Sequence, residues 1–247
     1  MNIELLKIGM EKHRSKDYVN SIKIFNQAIE DDPTDSMTFN LYLAIGEGKY
    51  NLTDYQGSVD AYTKGLNFYK ENITLFNQQP AQLIEQTKGL ITHAYRIRGN
   101  GKKELQDNQG AVQDFTKSIE LDSQLSESFY SRGVVYIETG NFTLAQQDFL
   151  KVIELKPNDP LAYRNLGNSK FQLGDFKSAI FNYTKALNLS IPIEHQGEVY
   201  NNRGSAKGAL GDYQNALLDF EKSLSINPND LMGLENKRAL LSHLSKL

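Results

Sequence analysis

Two short runs invite a chemical reading first. Gly46-Glu47-Gly48-Lys49 and Gly99-Asn100-Gly101-Lys102 have the composition of phosphate-cradling loops. A nucleotide-binding loop sets its glycines between a strand and a helix, with the longer GxxxxGK[ST] spacing. Neither run does so, and both fall inside a helical pattern at a small-residue crossing point, where packing explains them. The histidines, His13, His93, His195 and His243, are scattered and never four apart, so no HExxH or paired His–carboxylate motif arises and no metal site is expected. The chain has no cysteine, which removes disulfides, thiolate ligands and cysteine nucleophiles. No acid–base or nucleophile constellation emerges, and the expectation is a protein that is not an enzyme and needs no cofactor.

Charged residues show more order. Arg98, Arg132 and Arg203 each stand immediately before a glycine, and Asp114, Asp148 and Asp219 follow them sixteen residues later. Where the arginine is replaced, by Ile8, Ile45 or Leu166, the acid is replaced too, by Ile24, Ala61 or Asn182. Positions that change together are expected to touch. Pairing each acid with the arginine of the next segment fails, because Asp148 would face Leu166 and Asn182 would face Arg203. The pairs Arg98–Asp114, Arg132–Asp148 and Arg203–Asp219 are therefore expected to be structural ion pairs between two helices of one unit, and not a track of arginines for an acidic ligand.

The elements that must position these residues follow from an irregular repeat. Gly9, Gly46, Gly99, Gly133, Gly167 and Gly204 are separated by 37, 53, 34, 34 and 37 residues. The aromatics Phe25, Tyr62, Phe115, Phe149, Tyr183 and Phe220 share those separations, as do Ser21, Ser58, Ala111, Ala145, Ala179 and Ala216. Three columns with one spacing define six units, and about 34 residues holds one helix–turn–helix. Small residues let antiparallel helices approach closely, and the aromatic fills the space between hairpins. Asp175, Asp212 and Asn141 stand where the second helix of a unit begins and can cap it. The repeats span about 2–35, 39–72, 92–125, 126–159, 160–193 and 197–230, and the two 37-residue spacings are expected to lengthen loops near Ser36–Thr38 and Ile191–His195. The 53-residue spacing hides an insertion at 73–91. Its apolar pattern predicts an elongated helical pair, the first helix running on to about Asn77 and the second from about Ala81 to Leu105. Leu234, Leu241 and Leu244 predict an apolar stripe on a capping helix at 231–247.

This pattern resembles the tetratricopeptide repeat (TPR), carried by Tyr163, Leu166-Gly167, Gly174-Asp175-Phe176, Ala179, Tyr183 and Ala186, with Pro157 and Pro228 closing units. The resemblance covers nearly the whole chain. It implies an all-α fold, a right-handed superhelical solenoid of six repeats plus a C-terminal capping helix forming a single domain over 1–247. It also implies a scaffold that binds a peptide or protein partner in a concave groove and performs no chemistry.

Groove positions, counted from the first-helix glycine, place Arg96, Asn100, Arg164, Asn165, Asn168, Asn201, Asn202 and Asn236 as candidate peptide contacts. Amides both donate and accept, which suits the backbone of an extended peptide. Arg164, Asn168 and Asn202 match part of the clamp by which some members of this family hold a chaperone's C-terminal carboxylate. The remaining clamp positions here are Met232 and Asn236, and neither is cationic. The alternative function is a self-assembling structural protein that forms homo-oligomers through its ends or its elongated hairpin. Net charge is −3 and the pI about 5.9, so nucleic acid is not an expected partner. No apolar run is long enough for membrane insertion, and a cytoplasmic location is expected.

Overall fold

The computed structural model describes residues 2–246, and among them the chain forms fourteen helices and no strand. No helix is long and apolar enough to cross a membrane. The chain divides into two compact units, Met1–Ser128 and Phe129–Leu247. In the first, α1 (Ile3–Arg14) pairs with α2 (Tyr18–Asp31), and α3 (Thr38–Asn51) with α4 (Tyr55–Glu71). A short α5 (Ile73–Asn77) precedes α6 (Ala81–Glu104), which pairs with α7 (Asn108–Leu121). The boundary between the units falls in α8 (Ser126–Glu138). The second unit continues with α9 (Phe142–Leu155), α10 (Pro160–Gln172), α11 (Phe176–Asn188), α12 (Ile193–Ala209), α13 (Tyr213–Ile226) and α14 (Leu231–Leu244). There α10 packs on α11 and α12 on α13, while α9–α10 and α11–α12 contacts join successive hairpins.

Each hairpin closes on one contact. A Cβ at Gly9, Gly46, Gly99, Gly133, Gly167 or Gly204 would come within 2.6–2.9 Å of the ring of Phe25, Tyr62, Phe115, Phe149, Tyr183 or Phe220. The ring therefore lies on the glycine of its own hairpin, and it also reaches the next one. Tyr183 packs in a cluster with Val199 and Ala206, and Phe149 in one with Leu166. Replacing such a ring by alanine empties a site that no neighbour can fill, which costs about 3–5 kcal/mol.

The turns between paired helices are equally regular. Asp17, Asp54, Asp107 and Asp175 each accept a hydrogen bond from a backbone N–H two or three residues into the following helix. Asp212 and Asn141 occupy the same place without that bond. The Asp212 carboxylate accepts from the Asn215 side chain, and Asn141 donates its amide back to Thr139. The residue before each of these six caps has positive φ: Gly140, Gly174 and Gly211, but also Lys16, Thr53 and Gln106.

Three sequence expectations meet a different outcome in local structure. The first helix of the elongated pair does not run unbroken to Asn77, because Asn72 bonds its side-chain amide to the Phe68 carbonyl and ends α4. Such local side-chain bonds compete with helix continuation. The chain then folds Phe76 back onto Phe39 and Tyr69, with ring centroids 5.7 and 5.2 Å apart. At Ile191–His195 the three extra residues do not simply lengthen a loop. Buried Ile191 wedges the connection, and α12 starts at Ile193 and runs 17 residues, four more than α10. On α14 the buried side carries Gly233 and Leu240, with Leu244 packed behind it, while Leu234 and Leu241 stay exposed.

The positive-φ turns yield a stability prediction. Thr53 is β-branched at φ 61°, whereas a Cβ added at Gly174 (φ 76°) meets nothing within 4 Å, so its cost is purely conformational. Thr53→Gly should stabilise the chain by about 0.5–1 kcal/mol and Gly174→Ala should destabilise it by about 1 kcal/mol, since left-handed backbone strains every residue with a Cβ. Urea denaturation of the two variants checks both signs.

Candidate functional site

The three arginine–aspartate couples are bidentate. Nε and Nη2 of Arg98 donate to Asp114 at 2.7 and 2.6 Å, those of Arg132 to Asp148 at 2.9 and 2.7 Å, and those of Arg203 to Asp219 at 2.9 and 2.7 Å. The aspartates are buried, about 3–4% exposed. Arg98 also donates to Thr63, and Arg203 to Thr184, each a hydroxyl on the preceding hairpin. Burial pushes the Asp148 carboxyl above its ordinary value although Arg132 pulls it down. For Arg132, burial works to lower the value but Asp148 lifts it overall. The two tendencies point opposite ways for the pair. The double contact, with both carboxylate oxygens accepting, decides for the ionised form.

A lysine column completes this system. Lys102 reaches Asp114 at 3.0 Å and Lys207 reaches Asp219 at 2.7 Å. In hairpins that lack the buried acid, the equivalent Lys12, Lys49 and Lys170 turn instead to the helix caps Asp17, Asp54 and Asp175, at 3.2–3.4 Å. Tyr136 stands at that position beside Arg132–Asp148. Because lysine is present in both kinds of hairpin, its column alone gave no sign of the change of partner.

The groove candidates of the second unit form one network. Asn165 Nδ2 donates to the Tyr130 hydroxyl at 3.0 Å, and Arg164 donates twice to Asn165 Oδ1 at 3.2 Å. Arg164 Nη1 also donates to His195 Nδ1 at 2.7 Å and lies 3.6 Å from Glu198. Asn168 Oδ1 accepts from the Tyr183 hydroxyl at 2.8 Å and from Asn202 Nδ2 at 3.2 Å, while Asn168 Nδ2 makes a long contact to Glu198 at 3.4 Å. Asn236 Nδ2 donates to Asn201 Oδ1 at 3.1 Å. Asn165 and Asn201 are buried, whereas Arg164, Asn168, Asn202 and Asn236 are half-buried. Beside them opens a cleft of about 470 Å³ lined by Glu194, Glu198, Asn201, Asn202, Asp230 and Met232, among others.

Sequence reasoning did not single out His195, Glu198, Glu194 and Asp230. Glu194 and His195 sit on the first turn of α12, in the segment expected to lengthen a loop, and Glu198 follows one turn later. Arg96 and Asn100 lie on α6 in the first unit, both half-buried. Arg96 donates to His93 Nδ1 at 3.2 Å. Burial, and then the Arg96 charge, hold the His93 imidazole below its ordinary value, which suits the neutral, accepting ring. No group of three His, Cys, Asp or Glu side chains among the described residues is placed to hold a metal ion.

These features define an all-α chain of repeated helix hairpins held by contacts that recur along the chain, with amides, the arginines Arg96 and Arg164, and carboxylates on its first helices. Profiles of the tetratricopeptide repeat match residues 135–174, 161–190 and 197–230. Residues 135–190 and 197–230 therefore carry tetratricopeptide repeats. A TPR repeat-containing protein of Methanocaldococcus jannaschii is 25% identical over 151 residues, 61% of this chain and 23% of that protein. The C-terminal part of a TPR repeat-containing protein from Cytophaga hutchinsonii superposes with a TM-score of 0.68 at 18% identity, covering 90% of this chain and 78% of that one. YrrB, a TPR protein, gives a TM-score of 0.68 at 18% identity over 87% of this chain and 97% of its own. The chain spans about a fifth to a quarter of the length of the first curated relatives it matches.

The buried couples make a direct prediction. Asp148→Ala and Arg132→Ala should each cost about 3–5 kcal/mol, because each leaves an uncompensated buried charge. The double variant should cost far less than their sum. Additive losses in a chemical-denaturation cycle would show that the two charges do not depend on one another.

Proposed function

We propose that the chain is a non-enzymatic cytoplasmic adaptor that binds an extended segment of a partner protein along the first helices of its repeats. In the second unit the contacts come from Arg164, Asn168, Asn202 and Asn236, with Asn165 and Asn201 as the buried supports beneath them. Arg96 and Asn100 offer the equivalent groups in the first unit.

The observation that carries this reading is the row Arg164–Asn168–Asn202, half-buried and fixed by its own hydrogen bonds beside an open cleft. Side chains already held in place lose little rotamer freedom on binding. Their remaining donors and acceptors match the alternating N–H and C=O groups of an extended main chain. A partner's free C-terminal carboxylate fits poorly here. Glu198 already answers Arg164, Glu194 and Asp230 line the same cleft, and Met232 and Asn236 bring no cation. YrrB is described as having an unusual peptide-binding site, which keeps a peptide ligand within the range of this fold.

A test must separate binding from folding. Asn168 accepts the hydroxyl of fully buried Tyr183, so its removal disturbs the scaffold. Arg164→Ala with Asn202→Ala is the cleaner variant. For a peptide selected against the wild-type chain, this double variant should bind about tenfold or more weakly, since a lost hydrogen bond to a charged group is worth about 1.5–3 kcal/mol. Its thermal unfolding should stay within a few degrees of wild type. Unchanged peptide affinity would place the binding surface elsewhere.

A further inference from the structure

We infer that the cleft at the start of α12 and α14 is a specificity pocket for a basic side chain, taking one lysine or arginine of the bound segment. This rests on the peptide-binding reading above and deepens it, naming the residue class that the second unit selects.

The cleft owes its walls to an irregular part of the sequence. The extra residues before Gly204 give α12 an added first turn, which carries Glu194, and Glu198 follows one turn later. Counted back from the glycine, the same two positions in the preceding hairpin are Pro157 and Leu161, so this pair of acids is particular to α12. The rest of the lining includes Ile226 at the end of α13, with Asp230 and Met232 at the start of α14.

Two polar groups here point to a ligand rather than to folding. Asp159 and Asp230 each stand two residues after a proline, ahead of a first helix. Asp159 accepts from the backbone N–H of Leu161 and Ala162 at 2.9 and 3.1 Å. Asp230 caps nothing, and its carboxylate has no partner among the described residues. Asn201, 4% exposed, accepts from Asn236 through Oδ1, yet its Nδ2 donates to no described group. That nitrogen is still reachable, since among the described side chains only the Tyr62 hydroxyl is both sealed and unpartnered. A nearly buried donor that lines a cleft calls for an acceptor from outside.

The lining decides which ligand brings it. Glu194 and Asp230 form no ion pair, and Glu198 keeps only long contacts, to Arg164 at 3.6 Å and to Asn168 at 3.4 Å. These carboxylates are not grouped to grip a metal ion. Ile193, Ile226 and Met232 add apolar surface beside them. Lysine and arginine join an aliphatic stem to a cationic head, and the residue's own main-chain carbonyl can accept from Asn201 Nδ2. A volume of about 470 Å³ has room for such a side chain and its adjoining backbone.

The experiment uses the full chain. Random dodecapeptides are selected by display, and the tightest binder is synthesised with blocked ends and a fluorophore. Its affinity is measured by fluorescence anisotropy against wild type and against Glu194→Gln combined with Asp230→Asn. Neither side chain bonds within the chain, so this variant should melt with wild type. The selected peptides should share a lysine or arginine. Replacing it with norleucine should weaken binding to wild type about tenfold, and to the variant about twofold or less. Exchanging lysine for arginine should cost less than norleucine does. Selected peptides without a basic residue, or a norleucine loss equal in wild type and variant, would overturn the inference. So would displacement of the peptide by calcium chloride beyond that by sodium chloride of equal ionic strength, the mark of a metal site. If Arg164→Ala with Asn202→Ala abolishes binding while the acid variant binds as wild type does, the peptide reading stands and this one falls. If no selected peptide binds wild type, both fall.

Discussion

In every hairpin the aromatic of the second helix lies on the glycine of the first, so closely that a Cβ would meet the ring at 2.6–2.9 Å. This contact fixes the relative register of the two helices, and the residues flanking the glycine inherit their neighbours from it. The residue before the glycine meets the residue before the ring, which brings Arg98 to Asp114, Arg132 to Asp148 and Arg203 to Asp219. The residue after the glycine faces the far end of the ring. Where the ring is Tyr183, Asn168 therefore receives its hydroxyl. One packing constraint thus places both the structural charges and the polar groups offered to a ligand.

The charges are arranged so that buried acids are answered from within. Asp114 and Asp219 each hold an arginine and a lysine, while Asp148 is held by Arg132 beside Tyr136. When the buried acid is missing, the same lysine position moves to the helix cap. The arginines are committed to the fold, since stranding one of them in its partly buried site would cost several kcal/mol, while the lysines at the exposed helix caps add little. What stays available on the first helices is mostly amide and carboxylate, and the proposed hydrogen bonding to a peptide backbone rests on that composition.

Much of this was legible in the sequence, for a physical reason. Glycine, alanine and aromatic columns recur because the crossing geometry tolerates few residue types, so their spacing exposes the hairpins directly. Arg132 and Asp148 could be paired because repeat 5 loses both members together, as Leu166 and Asn182. Less regular features stayed hidden. The break at Asn72 depends on one side-chain bond to Phe68 that no periodicity reports. The extra residues before α12 have the same count whether they form a loop or a helical turn, and buried Ile191 helps settle the outcome. That turn brings His195 to Arg164, so the network was wider than its columns implied. Asn165 and Asn201 looked like open groove residues, yet their neighbours bury them.

The central claim is that a partner peptide lies along the first helices of the repeats and uses the polar row they present. Amide chemical-shift mapping of the full chain, titrated with a peptide selected against it, tests this most directly. The account predicts that the largest shifts gather at residues 164–168 and 198–202. Shifts confined to the outer faces of α9, α11 and α13, or to the segment around α5, would contradict it.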